Sequence, residues 1–455
     1  MLARGRNFVA PAYLLACLVL GGSAQGIWQN MLLQLAGLGI IAWAALAPGD
    51  EPLAPAARQL LLLFIVTIAV VALQMIPLPP AIWSHLGPRG MVAEGFRSLG
   101  LALPFEPLSL DPAAGVSALL TLIPPLAIFC AMTRLRAYRA QWLAAALIVG
   151  TIAAIALGAL QVASSTVSGL SPWYLYRTTN PGKGVGFFAN SNHMATLLVV
   201  TIPFLAAIVA TARSGTRQRY SAAVAVAAGL GMVVFVGLVL NGSLAGYGLA
   251  LPVLAASALL LIPQSSQWRK WAVVLAALLV IGSVTALQTT PIGSSRIGSH
   301  ATGSVQSRAE ILAMTARAAG DFMPFGSGLG SFRKVYPLYE QLNQVTGIFV
   351  IHAHNDYAEI ALELGLAGIV LILLFLAWWA VAIVRVWRTA EASAYTRAAA
   401  IASAAVLVHS LVDFPLRTAA IAAVFGMCLA LLADSRAAQP KEAGELRRTR
   451  HLEFR

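Results

Sequence analysis

Residues 357–384 read YAEIALELGLAGIVLILLFLAWWAVAIV, and their only charged side chains, Glu359 and Glu363, fall near the start. A helix crosses the hydrocarbon of a bilayer with roughly 20 predominantly apolar residues, so this run alone points to a membrane protein. Working outward gives eleven more such runs, at about 8–26, 30–48, 59–77, 113–132, 142–163, 192–212, 220–240, 246–263, 271–288, 398–413 and 416–434. The expected fold class is therefore an all-α membrane protein of about twelve transmembrane helices. Residues 1–436 form one polytopic bundle and 437–455 a disordered cytoplasmic tail. Composition agrees: of 455 residues, 59% are hydrophobic and 10% charged, against about 25% charged in soluble domains.

The net charge of +13, from 30 Lys and Arg against 17 Asp and Glu, fits either nucleic-acid binding or positive loops on one membrane side. Its distribution decides. Arg134, Arg136 and Arg139, then Arg213, Arg217 and Arg219, then Arg269 and Lys270, then Arg385, Arg388 and Arg397 fall on one side if the spans alternate. Arg4 and Arg6 at one end join them, as do Lys441, Arg447, Arg448 and Arg450 at the other. By the positive-inside rule that side is the cytoplasm, and no nucleic-acid motif remains to be explained. The apolar stretch after Arg6 lacks a small-residue cleavage site and reads as a retained first span rather than a signal peptide. Cys17, Cys130 and Cys428 each lie in apolar runs, which offers no disulfide framework and no CxxC site.

The same alternation puts three loops outside, at about 78–112, 164–191 and 289–356. The longest begins with a Ser- and Gly-rich stretch, residues 293–306, expected to be mobile and lid-like. Ser307 and Glu310 then have capping-box spacing, predicting a short amphipathic helix over 308–319 with Ile311, Leu312 and Thr315 on the bundle and Arg308 and Arg317 facing elsewhere. After it, residues 321–331, DFMPFGSGLGS, form a Gly-rich turn into a helix carrying Arg333 and Lys334. Such a turn suits a phosphate or pyrophosphate, although a tight turn packing the helix against the bundle explains the same glycines.

The loop closes with His352, His354, Asn355, Asp356 and Glu359. The nearby carboxylates lack a recognised metal spacing, and no metal is expected. An imidazole that takes a proton from a sugar hydroxyl is the better use, with Asp356 or Glu359 near enough to fix its tautomer; equally, Asn355 and Asp356 could simply cap the span. Glu359 and Glu363 share a helix face, and Glu363 is the stronger functional candidate of the two. His409 and Asp413 repeat that spacing ahead of Arg417, where an Asp413–Arg417 ion pair is expected. In the middle loop, Arg177, Lys183, Asn190, Asn192 and His193 stand among Trp173, Tyr174 and Tyr176, an interfacial aromatic belt or a grip on a sugar and a phosphate.

Four stretches, KGVGFFANSNHMA (183–195), SRAEILAMTARAAGDFMPFGSGLGSF (307–332), HAHNDYAEIALELGLAG (352–368) and HSLVDFPLR (409–417), together resemble the bacterial O-antigen ligase and polysaccharide polymerase superfamily. The resemblance runs from about Tyr176 to Arg417, with the long outer loop between the ninth and tenth spans. It implies a metal-independent, cofactor-free membrane glycosyltransferase of the bacterial inner membrane, with both termini cytoplasmic. Its implied donor is a glycan on undecaprenyl diphosphate, and its acceptor a hydroxyl of a glycan or of lipid A core. The bilayer and other polysaccharide assembly proteins are the further implied partners. Carried over by position, His354 is the base or orients the acceptor and Arg308 serves the diphosphate; the residues themselves leave His352 and His354 open as the base. Arg177, Arg333, Asp356 and Glu363 complete the expected site.

Two positions depart from the pattern. Lys183 stands where the family usually has Arg, and in NGSLAGYG (241–248) Leu244 stands where Arg often follows Ser. Lys lacks the bidentate fork, which shifts the expectation from ligase towards polymerase. A transporter or lipid flippase is the alternative from another class, but no internal repeat or polar midplane supports it. A noncatalytic assembly scaffold is a third reading, under which the outer-loop histidines and arginines are dispensable.

Overall fold

The computed structural model describes residues 5–24, 26–48, 52–165, 171–263, 266–289, 298–340 and 349–434. The tail expected at 437–455 and residues 293–297 of the Ser- and Gly-rich stretch lie outside them. The chain begins with α1 (Val9–Leu20), α2 (Trp28–Leu46) and α3 (Pro55–Gln74), followed by an outer segment of α4 (Pro80–Trp83) and α5 (Arg89–Ser98) closed by the two-residue antiparallel strands β1 (Pro77–Leu78) and β2 (Glu106–Pro107). Next come α6 (Pro112–Leu120), α7 (Ile123–Thr133), α8 (Ala140–Ala163), α9 (Ser191–Ala212), α10 (Arg217–Asn241), α11 (Leu244–Ala258) and α12 (Trp268–Thr289). The long connection between α12 and α15 holds α13 (Gly298–Asp321) and α14 (Phe332–Val335), and α15 (Asp356–Arg388), α16 (Ala394–His409) and α17 (Ala419–Ala433) complete the bundle.

Among the described residues, seven helical segments are long and apolar enough to cross a membrane, α6 and α7 counting as one, and four shorter apolar helices accompany them. The long ones divide by surroundings. In α9 78% of the most apolar window is buried in protein, whereas α2, α3, α10 and α15 bury 17% and turn large apolar side chains outward. α9 packs on α10, α11 and α16, and α17, whose residues are all buried, packs on α1, α7 and α16. Between membrane helices close approach supplies what the hydrophobic effect does not. A Cβ on Gly426 of α17 would stand 2.6 Å from the Pro125 carbonyl of α7.

The long outer loop differs from expectation in two ways. α13 begins at Gly298 rather than 308, so residues 298–306 are helical and Ser307 and Glu310 do not mark a helix start. Ser and Gly cost under about 1 kcal/mol each in a helix, and an established helix elongates at small cost. Second, Arg308 does not face away from the bundle. It lies on the same stripe as buried Thr315 and as Ile311, Ala318, Ala319 and Phe322, the last four of which form a second core with Phe332, Val335, Tyr336, Ala353 and Leu362. Helical spacing of three and four along α13 therefore carries Arg308 inward.

That second core is locked onto α15 through a break. Gly365 has φ 60° and ψ −141° inside α15, and the segment after α13 docks into the gap. Ser327 N–H donates to the Leu362 carbonyl at 2.9 Å, Gly328 N–H to Glu363 at 2.8 Å, and Leu366 N–H to Pro324 at 2.9 Å. Gln74 of α3 spans the junction, donating to the carbonyls of Phe325 at 2.9 Å and Glu363 at 3.0 Å. From α5, buried Arg89 donates to the Gly326 carbonyl at 2.7 Å and to that of Leu108. The Gly-rich turn thus uses its N–H groups in packing, which favours the tight-turn reading over an anion cradle.

Candidate functional site

Two carboxylate centres lie at one end of the bundle, joined by the short segments 352–355 and 410–418. The first is Asp413, fully buried in the connection between α16 and α17. It accepts hydrogen bonds from the Phe414 N–H at 2.9 Å and from the Asn192 side chain. Asn192 is held in turn by the Ser243 hydroxyl at 2.8 Å. Around the carboxylate stand His354 Nδ1 at 3.4 Å, Arg308 at 3.5 Å and His193 Nε2 at 4.0 Å. Burial by itself would raise the Asp413 pKa, but His354, Arg308 and His193 overcome it and hold the carboxyl well below its ordinary value.

Each partner arrives from a different element. His193 comes from the first turn of α9, capped by the Asn190 side chain, which accepts from the Asn192 N–H at 2.8 Å. Arg308 comes from α13, and His354 from the turn before α15, where Asn355 caps the helix by accepting from Ala358 N–H at 2.9 Å. His354 adopts φ 51°, a left-handed conformation uncommon for residues other than glycine. Phe414 lies among the imidazoles, with ring centroids 4.4 Å from His352, 5.0 Å from His354 and 5.1 Å from His193.

Exposure separates the roles. Asp413 and Glu363 are closed off from solvent and His193 nearly so, while the side chains of His354 and Arg308 are 27% and 24% exposed. The Nδ1 atom of His354 is buried 3.4 Å from Asp413 without a well-aligned hydrogen bond, and the side chain as a whole is partly open. Lys183 belongs to the same neighbourhood. Its amine donates to the Gly242 carbonyl at 3.2 Å, and burial first, then the charge of Arg308, lower its pKa.

The second centre is Arg417, which faces Glu359 at 3.1 Å, Asp356 at 3.4 Å and Glu363 at 3.8 Å. The expected Asp413–Arg417 pair is therefore replaced: Asp413 serves Arg308 and His354, and Arg417 serves the three acids of α15. The 3-10 turn at Pro415–Arg417 breaks the helical spacing that would have set Asp413 and Arg417 on one face. Glu359 accepts from Ala353 N–H at 2.8 Å and lies 2.8 Å from His352 Nδ1. Glu363 accepts from Phe332 N–H at 3.3 Å, and Asp356 accepts from the Ser410 hydroxyl at 2.8 Å. The acid beside His352 is thus Glu359, and neither Asp356 nor Glu359 is the acid beside His354.

Residues 230–373 match the family model described as O-antigen ligase. This segment, 144 of the 455 residues, is what the chain has in common with the O-antigen ligase family. No curated protein matches the chain. The matched segment contains Arg308, His352, His354, Glu359 and Glu363, whereas Lys183, Asn192, His193, Asp413 and Arg417 lie outside it and reach the site through the fold. Of the other expected site residues, Arg177 and Arg333 are exposed, and neither takes part in the contacts around Asp413 or Arg417. No cluster of metal-ligating side chains occurs among the described residues. Asp413 and Arg417 were the functional candidates underrated by the linear pattern; the signal was in plain view, as ionisable residues near the outer end of apolar spans.

Proposed function

We propose that this protein is a metal-independent glycosyltransferase of the bacterial inner membrane, acting at the periplasmic face on a glycan carried by undecaprenyl diphosphate. The reading takes twelve spans with both termini in the cytoplasm. The observation that carries it is the half-open His354 held against a buried carboxylate beside Arg308. An acceptor hydroxyl gives its proton to Nε2 of His354 as its oxygen bonds to the anomeric carbon. The bond from that carbon to the diphosphate breaks, and the leaving group departs with the electron pair. Asp413 orients the imidazole and stabilises its protonated form. Arg308 and Lys183, two cations close enough to repel, supply the charge that a departing diphosphate needs, and charges fixed in place before the reaction commonly do most to lower an enzymatic barrier.

Polymerisation of an O-antigen or exopolysaccharide is preferred over ligation to lipid A core, because Lys183 and Leu244 occupy positions where the family carries arginine. The test is the profile of surface polysaccharide and lipid-linked intermediates in cells carrying His354→Ala at wild-type membrane abundance. Accumulation of single lipid-linked repeats identifies a polymerase. Long lipid-linked polymer with bare lipid A core identifies a ligase. An unchanged profile removes His354 from the mechanism.

A further inference from the structure

The turn that carries His354 is strained, and strain of this kind persists only where the surroundings over-determine it. What over-determines it is Glu359. One carboxylate oxygen accepts from the N–H of Ala353 and the other lies beside Nδ1 of His352, both at 2.8 Å, so a single rigid group holds the two residues preceding His354. Glu359 is 1% exposed, and the oxygen that faces His352 is also gripped by Arg417 at 3.1 Å. Arg417 follows Phe414 by three residues, and Phe414 contacts both imidazoles. The remaining anchor of the turn, Asn355, donates to the Leu411 carbonyl at 2.9 Å, which again ties it to the segment holding Asp413.

We propose that Glu359, steadied by Arg417, is a positioning residue that fixes the His352-to-His354 turn so that His354 meets Asp413. This rests on the reading of His354 as the base. Glu359 touches no reacting atom in this scheme. Its neighbours Asp356 and Glu363 remain paired with Arg417 when Glu359 is replaced, so truncation leaves no unpaired cation.

The test uses the full-length protein in lipid nanodiscs, with a polyprenyl-diphosphate-linked oligosaccharide as donor and diethyl pyrocarbonate modification of each histidine read by mass spectrometry. In Glu359→Ala, kcat falls about thirtyfold with donor KM unchanged, in keeping with the roughly hundredfold cost of a 1 Å misplacement. The modification rate of His354 shifts severalfold while buried His193 and His409 stay protected as in the wild type. Glu359→Gln, whose side-chain carbonyl can still accept from Ala353 N–H, restores most of the rate and the wild-type modification pattern. Lost turnover with unchanged His354 reactivity overturns the inference, as does an unaltered enzyme. So does loss of protection at His193 in both variants, which would make Glu359 a general folding residue. A wild-type protein that transfers no glycan, yet shows the same His354 shift on truncation, refutes the functional reading and leaves the positioning role standing.

Discussion

Replacing Asp413 by Asn removes one charge and almost no volume, which isolates what the carboxylate contributes. His354 Nδ1 stands 3.4 Å away, and two unit charges at that distance in an effective dielectric near 20 attract by about 5 kcal/mol. That is the gross stabilisation of the imidazolium formed as the acceptor loses its proton. An amide keeps part of it through its dipole, so about half, ~2.5 kcal/mol, is the expected loss, or about seventyfold in kcat. Donor KM should rise modestly, since Arg308 loses its partner but not its own charge. The assay is transfer from a lipid-diphosphate oligosaccharide in nanodiscs, with wild type, Asp413→Asn, His354→Ala and the double variant compared at equal protein. Groups acting as a unit are strongly non-additive, so Asp413→Asn should cost little more once His354 is gone. An Asp413→Asn enzyme with more than half the wild-type kcat, or a double variant showing the full product of the single effects, would refute this account.

Three further outcomes follow from the same geometry. The Asp413 carboxyl binds its proton less readily folded than unfolded, so its stabilisation is present above the ordinary carboxyl range and is lost as pH falls through the lower folded value; melting temperature should therefore drop less between pH 7 and 3 in Asp413→Asn than in wild type, and equal drops would contradict this. Arg308→Ala should raise the Lys183 pKa by removing a repelling charge, seen as slower acylation of that amine at pH 8 to 9, with weaker donor binding alongside. Gly328 has φ 102°, and a side chain there would collide with Ser109. Gly328→Ala should lower stability by at least about 2 kcal/mol, measured as a lower melting temperature, whereas Arg333→Ala on the exposed side of α14 should change it by less than about 0.5 kcal/mol.

The all-α membrane class and the strongly apolar helices were legible because each depends on composition along a short window. The pairing of charges was not. Asp413 and Arg417 are four apart, a spacing that invites an ion pair, but the chain turns at Pro415 and each finds its partner on another element: Arg308 on α13 for one, Glu359 on α15 for the other. No local period encodes such a meeting. Arg308 itself was readable in part, since Ile311, Thr315 and Ala318 follow it at helical intervals and mark the face it shares. The Gly-rich turn was undecidable by spacing, because a phosphate cradle and a docking turn ask for the same glycines. Only the destination of each N–H separates them.

The interruption at Gly365 divides α15 into two rods of unequal duty. The shorter outer rod, with Asp356, Glu359 and Glu363, is fastened to the outer loop by the bonds that fill the break. The longer rod, from Leu366 onward, turns exposed apolar side chains outward: Leu366, Val370, Leu373, Leu374, Val381 and Val384. A membrane helix answers changes in bilayer thickness by tilting, and in an unbroken helix that tilt would swing the acids by ångströms. Here the acids are bonded to the loop through Leu362, Glu363 and Phe332, and the longer rod is joined to it at its first residue, Leu366, whose N–H donates to Pro324. The three acids therefore take their position from the loop they are bonded to as well as from the helix that carries them.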